Sequence, residues 1–427
     1  MIRSMYSGIG GMKNFQTKLD VIGNNIANVN TFGFKKGRTT FKDLVSQQLT
    51  GASNPTDNRG GTNPRQIGLG GTIATVDTIH TQGSLQTTGR ALDLGISGDG
   101  FFIVNDGPLS YYTRAGNFYL DSQGTLVTSD GLKVQGFRPN ADGQIDQNNI
   151  GELKVEAGDI FEPQATTQMS FKGNLRSETP VGIAFDGNLT NYLPDNTVLN
   201  KFTITDSLGS LHDLEIAYHK SNNVPATWTA TLLNPIYNAD GEITGYNTPP
   251  LGNIVFDANG RVDTTTIGNF TINPTNGSAP INVNLDVSKL TQFGNSSNTA
   301  DVSYINGNTE GTLESFNISQ TGEINGIYSN GEVRILGQIA MATFNNTGGL
   351  SKSGDNLFQV SNNSGIPNIG FAGQGRGVIA GSSLEMSNVD LSEEFTEMIV
   401  AQRGFQANTR MITTSDEILQ ELVNLKR

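Results

Sequence analysis

A segment near the end of the chain carries a helical apolar stripe that cannot remain uncovered in water. From Leu391 onwards, apolar side chains recur with alternating four- and three-residue spacing, which is the signature of a helical seam. Seven of the ten seam positions are apolar: Leu391, Phe395, Met398, Phe405, Ile412, Leu419 and Val423. Asp390 and Glu393 resemble a capping box at the helix start, and the helix would be roughly 54 Å long. It therefore needs a partner helix, either from its own chain or from a neighbour.

The start of the chain has a weaker pattern of the same kind, formed by Ile2, Met5, Ile9, Met12, Leu19 and Ile26. Glycines interrupt this helix, and each costs about 1 kcal/mol relative to alanine, so the helix should be stable only when packed. Residues 1–50 hold seven basic and two acidic side chains, whereas residues 386–427 hold seven acidic and four basic ones. We predict that the two terminal helices pair and pack against other subunits of a polymer. Two ordinary surface helices flanking a core are the alternative.

The residues between these helices have the pattern of β-structure. A small polar residue is repeatedly followed three positions later by glycine and then by an aliphatic residue, as in a short hairpin whose glycine adopts a positive φ. The turn occurs at Asp121/Gly124, Asn140/Gly143, Asp206/Gly209, Asn238/Gly241, Asp257/Gly260 and Ser319/Gly322. The sequence therefore predicts a mixed, mainly β fold with α-helices at both ends.

Composition and local motifs argue against several classes of function. The chain has no cysteine, three histidines and a formal charge of −13, which disfavours thiolate metal sites and nucleic-acid binding. It contains no run of about 20 apolar residues, and its start lacks the continuous apolar stretch of a secretory signal peptide. The stretch 373–378 lacks the third glycine of a dinucleotide motif, and His212 lies on a predicted open strand face. We expect no catalytic residue, cofactor or metal site.

Three motifs resemble those of the bacterial flagellar rod and hook family. The first covers residues 23–35 (GNNIANVNTFGFK) and the second covers residues 91–102 (ALDLGISGDGFF). The third combines residues 388–391 (NVDL) with residues 398–403 (MIVAQR). The motifs come in the family's order and span both ends of the chain. The resemblance adds Asn28, Phe32 and Phe34 of the first motif to the seam residues as expected subunit contacts.

The resemblance implies an axial tube built from four parts of each subunit. These parts are a helical coiled-coil domain lining a channel, connecting segments, a β-rich middle domain and an inserted outer β-domain. The expected boundaries are, in the same order, 1–30 with 386–427, 31–70 with about 363–385, 71–160 with about 300–362, and about 161–299.

The function implied by the resemblance is that of a structural hook subunit, which polymerises into a curved, flexible tube that transmits motor torque. A distal rod subunit is the alternative within the family, and a secreted β-rich hydrolase is the alternative from another class. The implied partners are copies of the same chain, the distal rod protein, the hook cap, the hook–filament junction protein, the hook-length control protein and the flagellar type III export apparatus. Nucleic acid and membrane insertion are not implied.

Overall fold

The computed structural model describes residues 2–55, 59–140, 143–156, 158–182, 197–237, 243–294 and 297–425. The chain divides into two compact units, because a long central segment folds by itself. The first unit comprises Met1–Ala157, Ser315–Gly326 and Val333–Arg427, and the second comprises Gly158–Glu314 and Ile327–Glu332. The fold is mainly β with one long helix near each end, as the sequence predicted.

The first unit begins with the helix α1 and continues as short strands. Their bounds are α1 Ile2–Ala27, β1 Gly37–Asp43, β2 Ser46–Thr50, β3 Arg65–Gly68, β4 Gly71–Thr78, β5 Leu85–Thr87, β6 Leu94–Ser97, β7 Phe101–Asp106, β8 Leu109–Thr113, β9 Tyr119–Leu120, β10 Leu126–Val127, β11 Lys133–Pro139 and β12 Ile145–Glu152.

Longer strands make up the second unit, and the last of them runs across its boundary in sequence. They are β13 Ile160–Phe161, β14 Gln168–Asn174, β15 Thr197–Thr205, β16 Leu211–Asn223, β17 Ala226–Tyr237, β18 Ile243–Asn247, β19 Pro250–Phe256, β20 Val262–Thr265, β21 Phe270–Ile272, β22 Ile281–Thr291, β23 Asp301–Ile305 and β24 Gly311–Ile318.

The chain then returns to the first unit and ends in the helix α2. The elements are β25 Glu323–Tyr328, β26 Val333–Ile339, β27 Met341–Thr343, a 3-10 turn Thr347–Gly349, β28 Ser351–Gly354, β29 Leu357–Gln359, β30 Asn368–Gly370, β31 Val378–Gly381, β32 Ser383–Glu385 and α2 Leu391–Leu425.

A central sheet organises the first unit, with strand order β26-β11-β7-β8-β29-β28 and antiparallel pairing. The three strands that precede the inserted segment, β11, β7 and β8, lie between strands that follow it, so both arms of the chain build the sheet together. Its core is aromatic, since Phe101 packs edge-on against Phe344 and Phe358. Two further pairs, β5–β32 and β6–β31, join the strand before the second motif and the strand within it to the two strands that lead into α2.

The second unit is a two-sheet β-structure around one core. One sheet has the order β15-β16-β17-β19-β20, with β18 also paired to β17, and the other has the order β21-β22-β14-β23. Along β22 the side chains of Ile281, Val283, Leu285 and Val287 are buried and those between them are exposed, as expected for a strand with one face in the core. Trp228 and Phe171 are fully buried in this core.

Five of the six predicted hairpin turns are confirmed. Gly124, Gly143, Gly209, Gly260 and Gly322 each have φ between 74° and 86°, and each N–H donates to the carbonyl of the polar residue three positions earlier. A polar residue is needed there because its side chain accepts hydrogen bonds from the turn. Asp257 Oδ1, for example, accepts from the N–H groups of Asn259 and Arg261 at 2.9 and 2.8 Å. The sixth turn, Asn238/Gly241, lies outside the described residues.

His212 belongs to a structural cluster in one of these turns. Its Nε2 lies 3.0 Å from Oδ2 of Asp206, a fully buried carboxylate that also accepts from Asn276 Nδ2 at 2.6 Å. The prediction that His212 lies on an open strand face was wrong, because His212 is half-buried on the same face of β16 as the buried Leu214 and Ile216.

Candidate assembly interface

The two terminal helices pack against each other within one chain. They run antiparallel, since Phe15 faces Gly404 and Asn25, further along α1, faces Glu394 near the start of α2. The contacting ridge of α1 is formed by Gly8, Gly11, Phe15, Lys18, Ile22 and Asn25. The side chains of α2 that are not fully exposed are Glu394, Met398, Ala401, Gly404, Phe405, Asn408, Ile412, Ser415 and Leu419.

The structure divides the predicted α2 seam into two groups. Met398, Phe405, Ile412 and Leu419 lie on the covered side of α2, facing α1. Leu391, Phe395 and Val423 are instead 39%, 50% and 66% exposed. At the remaining seam positions, 395, 402, 409 and 416, the covered residue lies one position earlier than predicted. These covered residues are Glu394, Ala401, Asn408 and Ser415. They are small or polar, which is why an apolar pattern did not identify them.

On α1 the contacting ridge is displaced by one residue from the predicted seam. Ile9 is 42% exposed, and Met5, Met12, Leu19 and Ile26 are half-buried. The side chain of Ile2 lies outside the described residues. Glycine explains the displacement. Two residues of the contacting ridge, Gly8 and Gly11, have no side chain, so a search for apolar residues does not find them.

Close approach of the helices depends on glycine at two places. A methyl group at Gly404 would lie 2.5 Å from the ring of Phe15, and one at Gly11 would lie 2.8 Å from Asn408 Oδ1. Real side chains do not tolerate such distances, so Phe15 fits only into a gap that a glycine leaves. The glycines that weaken α1 as an isolated helix are thus what allow it to pack on α2.

Polar contacts extend the helix pair towards the β-structure. Lys18 forms an ion pair with Glu397, and Lys36 Nζ lies 2.7 Å from Glu393 Oε2. Asn25 Nδ2 donates to the Gly37 carbonyl at 2.9 Å and to Glu394 Oε2 at 3.1 Å, and Asn25 Oδ1 accepts from Gly37 N–H at 2.9 Å. Burial raises the pKa of Glu394, and the hydrogen bond from Asn25 opposes that rise.

The loop of the first motif, which follows α1, is fixed by contacts within the chain. Gly33 has φ 70°, and a methyl group there would lie 2.5 Å from the backbone nitrogen of Ala115. The three predicted contact residues of this motif are half-buried. Asn28 Nδ2 donates to the Asn24 carbonyl at 2.9 Å, the carbonyl of Phe32 accepts from Asn356 at 3.1 Å, and the ring of Phe34 lies 5.1 Å from Lys352 Nζ.

A buried charge cluster lies directly after this loop. Lys35 Nζ is 2.6 Å from Glu385 Oε1, Arg114 Nη1 is 3.3 Å from Glu385 Oε2, and the three side chains are at most 3% exposed. Glu385 Oε1 also accepts from Gly83 N–H at 2.9 Å, and Lys35 donates to the Thr81 carbonyl at 2.8 Å. Burial lowers the pKa of Lys35 and of Arg114, and the Glu385 carboxylate opposes both shifts.

Asn388 reinforces the same junction from the segment that leads into α2. Its Oδ1 accepts from Lys36 N–H at 2.8 Å, and its Nδ2 donates to the Ile79 carbonyl at 2.8 Å. Lys35 lies in the first motif and Asn388 in the third, so the sequence marked both as residues of interest. Glu385 and Arg114 gave none, because a lone charge within a strand pattern is indistinguishable from a surface residue until its partners are known.

His80 packs beside this cluster, between the rings of Phe101 and Phe358. Burial, together with the nearby cations Lys35, Arg114 and Lys352, lowers its pKa to about 4. Among the described residues, no three His, Asp or Glu side chains are grouped so that they could hold a metal ion. Over their described residues, neither α1 nor α2 is long and apolar enough to cross a membrane.

Sequence profiles of flagellar axial proteins match most of the chain. They are the flagella basal body rod protein over residues 5–35, the flagellar hook protein FlgE/F/G D1 domain over 95–174, the flagellar basal body protein FlaE D2 domain over 174–307, and the flagellar basal body rod FlgEFG protein C-terminal region over 380–425.

Individual proteins match over the whole length. The flagellar hook protein FlgE of Borreliella burgdorferi is 44% identical and that of Treponema pallidum is 39% identical, each over 100% of both chains. In fold, the crystal structure of Helicobacter pylori flagellar hook protein FlgE2 is similar with a TM-score of 0.54, covering 70% of this chain and 100% of that one at 15% identity.

Two paired terminal helices, together with a β-sheet built by the chain before and after its inserted segment, define a structural protein of the flagellar axis. The chain belongs to the flagellar hook protein family. It is a structural protein of the flagellar hook and acts in motility.

The glycine contact between the helices gives a first prediction. Gly404→Ala should displace the Phe15 ring and weaken helix pairing by about 1–3 kcal/mol, the usual cost of overpacking. Gly23→Ala is the matched control, because nothing lies within 4 Å of its added methyl group and it should stabilise α1 by about 1 kcal/mol. Hydrogen exchange of α1 amides measures both effects. Equal protection in the two variants would show that Phe15 does not need the gap.

The buried cluster gives a second prediction. Glu385→Gln leaves two buried cations without a counter-charge, so the first unit should lose about 3–5 kcal/mol of stability. Glu152→Gln is the control, since Glu152 pairs with Lys133 at 2.8 Å but is 36% exposed and should cost under about 1 kcal/mol. Hydrogen exchange of the β7 amides reports the difference, and similar protection in both variants would contradict a role for the buried charge.

His80 gives a prediction about pH. Its pKa is lower in the folded chain, about 4, than the ordinary 6.5, so its contribution to stability is present above pH 6.5 and is lost as the pH falls towards 4. The loss is at most about 3 kcal/mol, at 1.36 kcal/mol per pKa unit. His80→Leu should flatten the stability of the first unit between pH 6.5 and 4, measured by hydrogen exchange. An unchanged slope would show that His80 does not titrate there.

Proposed function

We propose that the chain polymerises with copies of itself into a curved, flexible tube that transmits motor torque from rod to filament. The observation that carries this proposal is the outer surface of the helix pair, where large apolar side chains face water in a single chain. They are Tyr6, Ile9, Leu391, Phe395, Ile399, Val400, Met411, Ile418, Leu422 and Val423. Exposed apolar surface of this extent on paired helices marks a protein contact, and membership of the hook family supports a second copy as its occupant.

Within this proposal the predicted contact residues have two roles. Met398, Phe405, Ile412 and Leu419 hold α1 on α2, so they shape the building block. Ile9, Leu391, Phe395 and Val423 are exposed and contact neighbouring copies. Asn28, Phe32 and Phe34 fix the loop from which the connecting segment departs, and they contact neighbours through the sides that remain exposed.

The four-part organisation predicted from the sequence is part of the same proposal. The helices of residues 1–30 and 386–427 line the channel. The connecting segments 31–70 and about 363–385 and the middle domain 71–160 with about 300–362 form the next layers, and the domain of about 161–299 faces outward. Polar outer surfaces can slide as the tube bends, while the apolar inner contacts hold it.

The proposed partners follow from the position of a hook within the flagellum. They are the distal rod protein at one end, the hook cap and the hook–filament junction protein at the other, and the hook-length control protein and type III export apparatus during assembly. In this role the chain needs no cofactor, catalyses no reaction, does not bind nucleic acid and does not insert into membranes.

Electron microscopy of the purified chain tests the proposal, and we expect curved tubes with a central channel. Phe395→Asp should abolish them, because a charge buried without a partner costs several kcal/mol per contact. The helix pair should survive, since Phe395 is half-exposed in the single chain. Phe395→Leu, which keeps an apolar group there, is the matched control and should polymerise. Normal tubes from Phe395→Asp, or no polymer from the unaltered chain, would contradict the proposal.

A further inference from the structure

An exposed isoleucine lies on the loop between β29 and β30 of the first unit. Ile366 is 89% exposed, more than any other large apolar side chain among the described residues. Apolar residues scattered singly over a surface are common, so exposure alone does not distinguish Ile366. The loop that carries it does, because this loop is held in place on both sides of the isoleucine.

Hydrogen bonds and backbone restrictions fix the loop. Ser364 is fully buried, and its Oγ donates to the Ser361 carbonyl at 2.9 Å and accepts from Ser361 N–H at 3.1 Å. Gly365 follows with φ 81°, and Pro367 restricts its own backbone and that of Ile366. A side chain that is held in position before binding loses little conformational freedom on binding, which is typical of the anchor residue of an interface.

A cavity of about 260 Å³ on the same unit offers a site for such an anchor. Its walls include the half-buried Phe34 and Leu357 and the buried Phe358, and we call it the Phe34 pocket. Asn356 at its edge donates from Nδ2 to the Phe32 carbonyl at 3.1 Å, so contacts within the chain already shape the pocket. It has room for one aliphatic side chain.

The larger cavity beside the Phe34 pocket does not suit an apolar group. Its volume is about 480 Å³, and its lining includes Asn30, Asn117, Asp130 and Asp355. An isoleucine placed there would take these polar groups out of water without offering them a hydrogen bond. Of the two neighbouring cavities, the Phe34 pocket is therefore the one that fits an isoleucine.

Ile366 and the Phe34 pocket lie on different parts of the surface. Residues 341–354 and 357–370 form one long hairpin, since β28 pairs with β29 and β27 pairs with β30. The pocket borders the tip of this hairpin, and Ile366 lies near its open end, about 30 Å further along the strand direction. Because Ile366 is exposed, it does not fill the pocket of its own chain. A contact between two different patches is heterologous, and such contacts repeat into open helical polymers.

We propose that Ile366 of one copy inserts into the Phe34 pocket of a second copy, and that this contact repeats through the polymer. The inference rests on the proposed function, because it takes the second copy to be a neighbour in the tube. Neighbours related by a rotation and a shift present different surfaces to each other, as this contact requires. It assigns Phe34, one of the expected subunit contacts, a specific partner residue.

Disulfide crosslinking tests the contact, and the chain has no cysteine to interfere. Ile366→Cys and Leu357→Cys are purified separately and polymerised together, so any bond between positions 366 and 357 joins two copies. Oxidation should give crosslinked dimers, because an inserted side chain brings the two Cα atoms near the separation of about 4.4–6.8 Å that a disulfide spans. Longer crosslinked chains should not form, since each variant carries one cysteine.

Two controls show whether the crosslink is specific. Ile366→Cys polymerised alone should give no disulfide, because the proposed contact does not bring two copies of position 366 together. Ile366→Cys with Leu109→Cys should give none either, since Leu109 is 49% exposed but does not line the pocket. Equal crosslinking in the controls and in the test pair would overturn the proposal.

Ile366→Asp tests how much the contact contributes. The variant should fold normally, because the side chain is exposed in the single chain, and should raise the critical concentration for polymerisation at least about tenfold, since a carboxylate loses its hydration in an apolar pocket. Ile366→Leu is the matched control, which keeps an aliphatic group of the same size and should polymerise almost as readily as the unaltered chain.

The outcomes separate this inference from the proposed function. If the unaltered chain forms no polymer, the proposed function fails. If it polymerises, but positions 366 and 357 do not crosslink and Ile366→Asp polymerises as readily as Ile366→Leu, the proposed contact alone is wrong.

Discussion

The first unit depends on the buried ion pairs of the Glu385 carboxylate. This carboxylate receives Lys35 from the segment after α1, Arg114 from the end of β8 and the Gly83 N–H from the segment between β4 and β5. Glu385 itself immediately precedes the segment that leads into α2. One buried anion thus joins both ends of the chain to the β-structure that lies between them in sequence. Because two cations share it, removal of the anion leaves charges that burial penalises strongly.

Fixing both helix roots at one place determines how the helices meet. Asn25 links the last turns of α1 to β1 and to Glu394. Asn388, just before α2, is bonded to Lys36 and Ile79, which adjoin the paired ends of β1 and β4. From there the helices run side by side, with Phe15 set into the gap at Gly404. This contact is narrow, since glycine and alanine rather than leucine occupy much of it. The larger apolar side chains are consequently left on the outer faces, where only another molecule can cover them.

Sequence reasoning recovered the features that repeat and missed those that depend on distant partners. The hairpin turns were predictable because Asp257 and Gly260 act within five residues. The helices were predictable from period, but their contacting sides were displaced, because Gly11 and Gly404 contribute shape rather than hydrophobicity. The motifs pointed to Lys35 and Asn388. Nothing local marked Arg114 or Glu385, whose roles arise only when four separate segments converge.

The exposed apolar side chains of α2 suit a polymer that bends. Apolar packing is non-directional, so the surfaces around Phe395 and Met411 tolerate small shifts between neighbouring copies at little cost. Within one subunit the opposite holds, because the buried ion pairs of Glu385 depend on fixed distances, and breaking them leaves buried charges without a partner. In the proposed tube, bending is therefore accommodated by small shifts between subunits, while each subunit keeps its own shape.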